Sequence, residues 1–126
     1  MSGEKALGML LCDDLIFTSR IVGTARDLGL EVKPFKTAEA LLSAARQEHP
    51  NCVIIDLSNP SLKLDEFARQ LKSLDASAPR IVAYGSHVNT QTLQAAREAG
   101  CDPVVARSKF VESLPNALSG WLESHA

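Results

Sequence analysis

The chain has 126 residues, 45% hydrophobic and 22% charged, with a net charge of −2 at pH 7. That size and composition predict one globular domain over 1–126 with a core of its own. Acids and bases are interleaved without a basic stripe, which argues against nucleic acid as a partner. No apolar run reaches the roughly 18 residues of a membrane span, and Met1 to Lys5 lacks a secretory leader's apolar stretch, so a cytoplasmic location is expected.

Short apolar runs alternate with helix-period segments along the whole chain. Gly8 to Cys12 is a compact apolar run that stops at two acids. Phe17, Ile21, Ala25 and Leu28 then share one helical face, and Gly29 suits the C-terminal cap. Leu30 to Phe35 alternates as a strand, and Pro34 favours a sheet edge. Thr37 is a good N-cap for a helix whose apolar face is Leu41, Leu42 and Ala45, and Glu39 complements its N-terminal dipole. Cys52 to Ile55 is apolar and β-branched, as a buried strand requires.

Phe67, Leu71 and Leu74 mark a third helix, and Ile81 to Tyr84 a fourth strand. Asn89 or Thr90 caps a fourth helix through Leu93 and Ala96, closed by Gly100. Val104 to Ala106 is a fifth strand. Ser113 followed by Pro115 predicts the opening of a last helix, because proline is tolerated in a first turn. Leu114, Ala117, Leu118, Trp121 and Leu122 form its buried stripe. Five such β-α pairs predict an α/β fold with a parallel sheet covered on both faces.

In such sheets, ligands bind beyond the carboxyl ends of the strands. Asp13 and Asp14 follow the first strand, and Asp56 follows the third with Ser58 two residues on. Gly85, Ser86 and His87 follow the fourth strand, and Arg107, Ser108 and Lys109 the fifth. Three carboxylates at one sheet edge repel each other and need a divalent cation or a proton to coexist. Hard oxygen donors of this kind suit Mg²⁺, and a carboxylate beside it can attack a phosphoryl group. The competing assignment for Asp14 or Asp56 is a helix cap. Cys12, Cys52 and Cys101 are odd in number and contain no CxxC, so buried free thiols are expected.

Asp13-Asp14 and the segment Asp56-Leu57-x-x-Pro60, set in this five-fold β-α order, resemble the response-regulator receiver family. The resemblance covers the chain from Leu10 to the final helix. It implies a doubly wound, flavodoxin-like (β/α)5 fold with strand order 2-1-3-4-5. It further implies that Asp56 accepts a phosphoryl group. Asp14 would bind Mg²⁺ directly, Asp13 would help position it, and Asp56 and the Ser58 backbone carbonyl would complete the metal site. A histidine kinase or phosphotransfer protein would be the donor. With no output domain encoded, signalling would run through contacts with an unknown downstream protein. The chain would be no enzyme beyond self-phosphotransfer onto Asp56.

The chain departs from the family pattern at several places. The family's Thr or Ser after the fourth strand falls on Tyr84 or Gly85, depending on one residue of slack, and Ser86 reaches it only through a shifted loop. The Lys-Pro after the fifth strand falls on Arg107 and Ser108. Lys109 would point to the same side if the strand continued. Val104 stands where the fifth strand often carries an aromatic, and Lys63-Leu64 replaces the usual Asp-Gly.

Those departures support an alternative, a pseudo-receiver that binds a partner regardless of phosphorylation. A cofactor-binding enzyme is disfavoured, because neither GxxxxGK nor GxGxxG is present. His87 reads as a loop histidine, Trp121 as core, and His49 and His125 as solvated.

Overall fold

The computed structural model describes residues 6–74 and 78–123; His125 lies outside them. Ten elements alternate: β1 (Leu7–Leu11), α1 (Leu15–Asp27), β2 (Glu31–Phe35), α2 (Ala38–Glu48), β3 (Cys52–Asp56), α3 (Leu64–Lys72), β4 (Arg80–Gly85), α4 (Thr90–Glu98), β5 (Val104–Ala106) and α5 (Arg107–Leu122). The strands form one parallel sheet in the order β2-β1-β3-β4-β5, as expected. Pro34 lies on the edge strand β2, where a missing ladder donor costs least. None of the described helices is long and apolar enough to cross a membrane.

Two apolar layers flank the sheet, divided by the alternation of strand side chains. Met9, Leu11, Val53, Ile55, Ile81 and Ala83 face α2, α3 and α4, which contribute Leu41, Leu42, Ala45, Phe67, Leu71, Leu93 and Ala96. Leu10, Cys12, Cys52, Ile54, Val82 and Tyr84 face α1 and α5, which contribute Ile21, Ala25, Phe110, Leu114, Leu118, Trp121 and Leu122. All three cysteines are buried free thiols.

Helix ends follow local chemistry. Thr37 Oγ1 accepts from the Ala40 amide at 3.2 Å, and Asn89 Oδ1 accepts from the Thr92 amide at 3.4 Å. Past α4, Gly100 has φ 101°, a conformation that few side chains tolerate. His49 closes α2 in the left-handed region at φ 52° and is exposed.

The last helix departs from expectation. It begins at Arg107, not near Ser113, and Pro115 lies inside it. Phe110 extends the buried stripe one turn upstream of Leu114, so burial of that face outweighs the donor lost at proline. The Ser113 hydroxyl donates to the Lys109 carbonyl at 2.8 Å within the helix instead of capping it.

Candidate functional site

Asp56 ends β3 and is only 3% exposed; with Asn59 it is one of two buried polar side chains among the described residues. A carboxylate buried so deeply needs partners. Its two oxygens are held differently. Oδ1 accepts from the Ser58 amide at 2.9 Å and from the Ser58 hydroxyl at 2.6 Å, with Arg107 Nη2 at 3.9 Å. Oδ2 faces the Cys12 thiol, whose sulfur donates at 3.6 Å. Arg107 therefore supplies the cation beside Asp56, as its place after the fifth strand implied. Its guanidinium also sits over the Phe17 ring, 5.7 Å from the centroid.

Strand register decides which residue stands beside Asp56. Asp56 pairs with Tyr84, and Gly85 pairs with Ala106, so of the two candidates Tyr84 is the one beside Asp56. A Cβ at Gly85 would press on Leu57 and Leu93 at 3.3 and 3.4 Å. The Tyr84 ring is wholly buried, with centroids 4.9 Å from Phe17 and 4.6 Å from Phe110. Phe110 stacks in turn on Trp121 at 5.6 Å. The Tyr84 hydroxyl is buried without a hydrogen-bond partner among the described residues. Burial first, then the adjacent Cys12 sulfur and the Asp56 charge, push its phenol well above the ordinary value, so it stays protonated.

The remaining site residues are distributed more loosely. Asp13 and Asp14 follow β1 and are exposed, and neither has an ion pair among the described residues. Asp14 is also the N-cap of α1, its Oδ1 accepting from the Phe17 amide at 3.0 Å. The helix-cap assignment thus holds for Asp14 and leaves its other oxygen open. Among the described residues, no three acidic, histidine or cysteine side chains stand close enough to hold a metal ion. The donors at this edge are hard oxygens, which fits Mg²⁺ in kind. They are not drawn together as a closed cage.

Ser86 and Arg107 line a pocket of about 60 Å³ with Ser58, Asn89 and Thr92. Lys109 is not brought to Asp56: the strand it was expected to continue ends at Ala106, and Lys109 lies exposed in the first turn of α5. His87 is an exposed loop residue, and Trp121 is core.

Two residues of the site escaped sequence reasoning. Cys12 carried only the signature of a strand thiol. Asn59 was visible only as part of a turn before proline, yet its amide donates to the Lys36 carbonyl at 3.0 Å. Its Oδ1 accepts from the Ser61 amide at 3.0 Å and the Ser61 hydroxyl at 2.6 Å. The Ser61 hydroxyl oxygen accepts in turn from the Ala38 amide at 2.9 Å. Asn59 thus ties the segment after Asp56 to the start of α2.

This architecture is the fold seen in receiver domains, here with a buried aspartate ending the third strand and a cation at the start of α5. Similarity to known proteins agrees. The chain is 25% identical over 123 residues to the response regulator protein TodT of Pseudomonas putida, covering 98% of this chain and 54% of TodT. The chain thus spans about half the length of the curated relatives it matches.

Among solved structures, it resembles the receiver domain of the sensor histidine kinase PA1611 of Pseudomonas aeruginosa, which has a magnesium ion coordinated in its active-site cleft (TM-score 0.79, 17% identity, 94% of this chain and 98% of that one). It also resembles the receiver domain of Ssk1 from Saccharomyces cerevisiae, solved with the histidine phosphotransfer protein Ypd1 (TM-score 0.78, 17% identity, 94% of this chain and 89% of that one). No protein-family model matches the chain.

Proposed function

We infer that the chain acts in two-component signalling as a receiver that accepts a phosphoryl group on Asp56 and signals through protein contacts. The observation that carries this reading is the Asp56 carboxylate itself. It is buried at the carboxyl edge of the sheet, with Arg107 Nη2 3.9 Å from Oδ1 and two exposed acids, Asp13 and Asp14, after the neighbouring strand. A buried carboxylate whose neighbouring guanidinium stands at 3.9 Å, beyond hydrogen-bond reach, suits a nucleophile better than a tight salt-bridge anchor.

In this reading the Asp13, Asp14 and Asp56 carboxylates and the Ser58 carbonyl hold Mg²⁺. The ion supplies charge compensation for the incoming phosphoryl group. Ser58 orients the acceptor through Oδ1. Arg107 draws the negative charge of the phosphorylated product, although its planar fork is bulkier than the ammonium it replaces. The donor is a histidine kinase or a phosphotransfer protein, as the pairing of the related Ssk1 receiver with Ypd1 suggests by analogy.

The test is uptake. Acetyl phosphate with Mg²⁺ should add one phosphoryl group to the intact mass of wild type and none to Asp56→Asn. Beryllofluoride with Mg²⁺ should change Trp121 fluorescence, because Trp121 stacks on Phe110 and Phe110 on Tyr84 beside Asp56. Arg107→Lys should speed uptake or lengthen the lifetime of the product. Absence of both uptake and Mg²⁺ affinity would sink the reading.

One observation favours a second reading, a pseudo-receiver. Tyr84, the residue paired with Asp56 on β4, presents no free hydroxyl to the site, its ring clamped between Phe17 and Phe110. Labelling of Asp56 that leaves partner binding unchanged would select it.

A further inference from the structure

We propose that Phe17 is a positioning residue whose ring holds the Arg107 guanidinium in reach of a phosphoryl group on Asp56, a role that rests on Asp56 being the phosphoacceptor. Arg107 opens α5, and its side chain is 46% exposed. A long cationic side chain at such a place spreads over many rotamers unless something holds it. Asp56 does not hold it, because Nη2 stands 3.9 Å from Oδ1, beyond hydrogen-bond reach. The Phe17 ring does. The guanidinium carbon lies 5.7 Å from the ring centroid, within the range of a cation–π contact.

The ring is itself fixed. Phe17 lies in the first turn of α1, and its amide donates to Asp14 Oδ1 at 3.0 Å. Its ring packs against Tyr84 at 4.9 Å and Phe110 at 6.2 Å between centroids. Tyr84 is the residue paired with Asp56, so the aromatic beside the acceptor is also the floor under Phe17. Arg107 lines both the small pocket that includes Ser58 and a groove of about 530 Å³ that Phe17 also lines. It therefore stands as a wall between the two, braced by Phe17 from the groove side.

This spacing suits phosphoryl transfer better than a closed ion pair. A guanidinium bonded to both oxygens would draw off the charge that makes the carboxylate a nucleophile. Held off, it leaves the bare carboxylate reactive. The oxygens of a phosphoryl group entering on the side that Ser58 and Arg107 line then come within its reach. One Asp56 oxygen bonds to phosphorus as the bond from phosphorus to the donor's leaving oxygen breaks. With acetyl phosphate, acetate departs with the electron pair, and Arg107 keeps its protons throughout. Without the ring, Arg107 either closes on the carboxylate or turns to solvent, and both slow transfer.

Two measurements test this. In the first, acetyl phosphate uptake with Mg²⁺ is timed for wild type, Phe17→Leu and Phe17→Tyr, and for Phe17→Leu in an Arg107→Ala background. Phe17→Leu should slow uptake about threefold where Arg107 is present and not at all where it is replaced. Phe17→Tyr keeps the ring and should restore the wild-type rate. Damage to the core alone would slow both backgrounds alike. In the second, the δ-methylene proton signal of Arg107 is identified by its loss in Arg107→Ala. The Phe17 ring current should hold it upfield of its ordinary position, and it should stay there when beryllofluoride and Mg²⁺ bind.

Three kinetic results overturn the proposal while leaving Asp56 as acceptor: equal uptake in wild type and Phe17→Leu, equal slowing in both backgrounds, or Phe17→Tyr as slow as Phe17→Leu. A δ-methylene signal that is not upfield, or that leaves its place with beryllofluoride, does the same. If Phe17→Leu fails to fold, or Arg107→Ala takes up too little to time, the signal alone decides. No uptake by wild type overturns the assignment of Asp56 and this proposal with it.

Discussion

Replacing Tyr84 with phenylalanine should stabilise the protein, the reverse of what removing a polar contact from a core normally does. The Tyr84 ring touches Phe17 and Phe110 at centroid distances of 4.9 and 4.6 Å, and Tyr84→Phe keeps those contacts. The change removes only a hydroxyl that is buried without a partner. An unsatisfied buried polar group costs about 1–3 kcal/mol, so the gain should be about 1 kcal/mol or more. For a domain of this size that is a rise of about 4 °C in Tm.

Tyr84→Ala removes the ring as well and should cost about 3–5 kcal/mol. Urea unfolding followed by circular dichroism, with an unchanged m-value, measures both. A loss of 1 kcal/mol or more in Tyr84→Phe would refute the reasoning, since it would mean that the hydroxyl holds a bond worth keeping.

Other outcomes follow from the same geometry. Asn59→Ala strips the partners from the Ser61 amide and the Lys36 carbonyl and should cost about 2–3 kcal/mol in urea melts. Pro115→Ala, at an exposed site inside α5, restores a helix donor and should raise stability by up to about 3 kcal/mol, read as a higher Tm. Stability should fall on the alkaline side. Burial pushes Cys52 from 9.0 up to about 12 and Cys101 up to about 11. The folded state therefore keeps protons that the unfolded chain gives up. That contribution is whole below pH 9.0 and is lost as pH rises towards about 12. Tyr84 is the chain's single tyrosine, so phenolate absorbance should emerge only together with alkaline unfolding.

Much of the fold was legible in the sequence, because its signals are local. The unbroken apolar, β-branched run from Cys52 to Ile55 marks a central strand buried on both faces, the spacing of Leu41, Leu42 and Ala45 follows the helix repeat, and burial follows directly from both. Asp56 was placed by the strand before it and the turn after it. Asp14 presented two readings, cap and ligand, and its contact with the Phe17 amide shows that the first is real. The start of α5 was misplaced because Pro115 is a strong local signal for a first turn. Packing of Phe110 against Tyr84 and Trp121 carried the helix past it.

The surroundings of Asp56 belonged to the tertiary structure alone. The Cys12 sulfur reaches it across 44 residues of chain. Arg107 reaches it from the start of α5, and Tyr84 stands beside it only because β3 and β4 pair in one register rather than the next. One residue of slip would have set Gly85 there. Local pattern determined that an acidic residue ends the third strand at the binding edge. The pairing of strands, a cooperative choice made by the whole core, decided which donors hold each of its two oxygens.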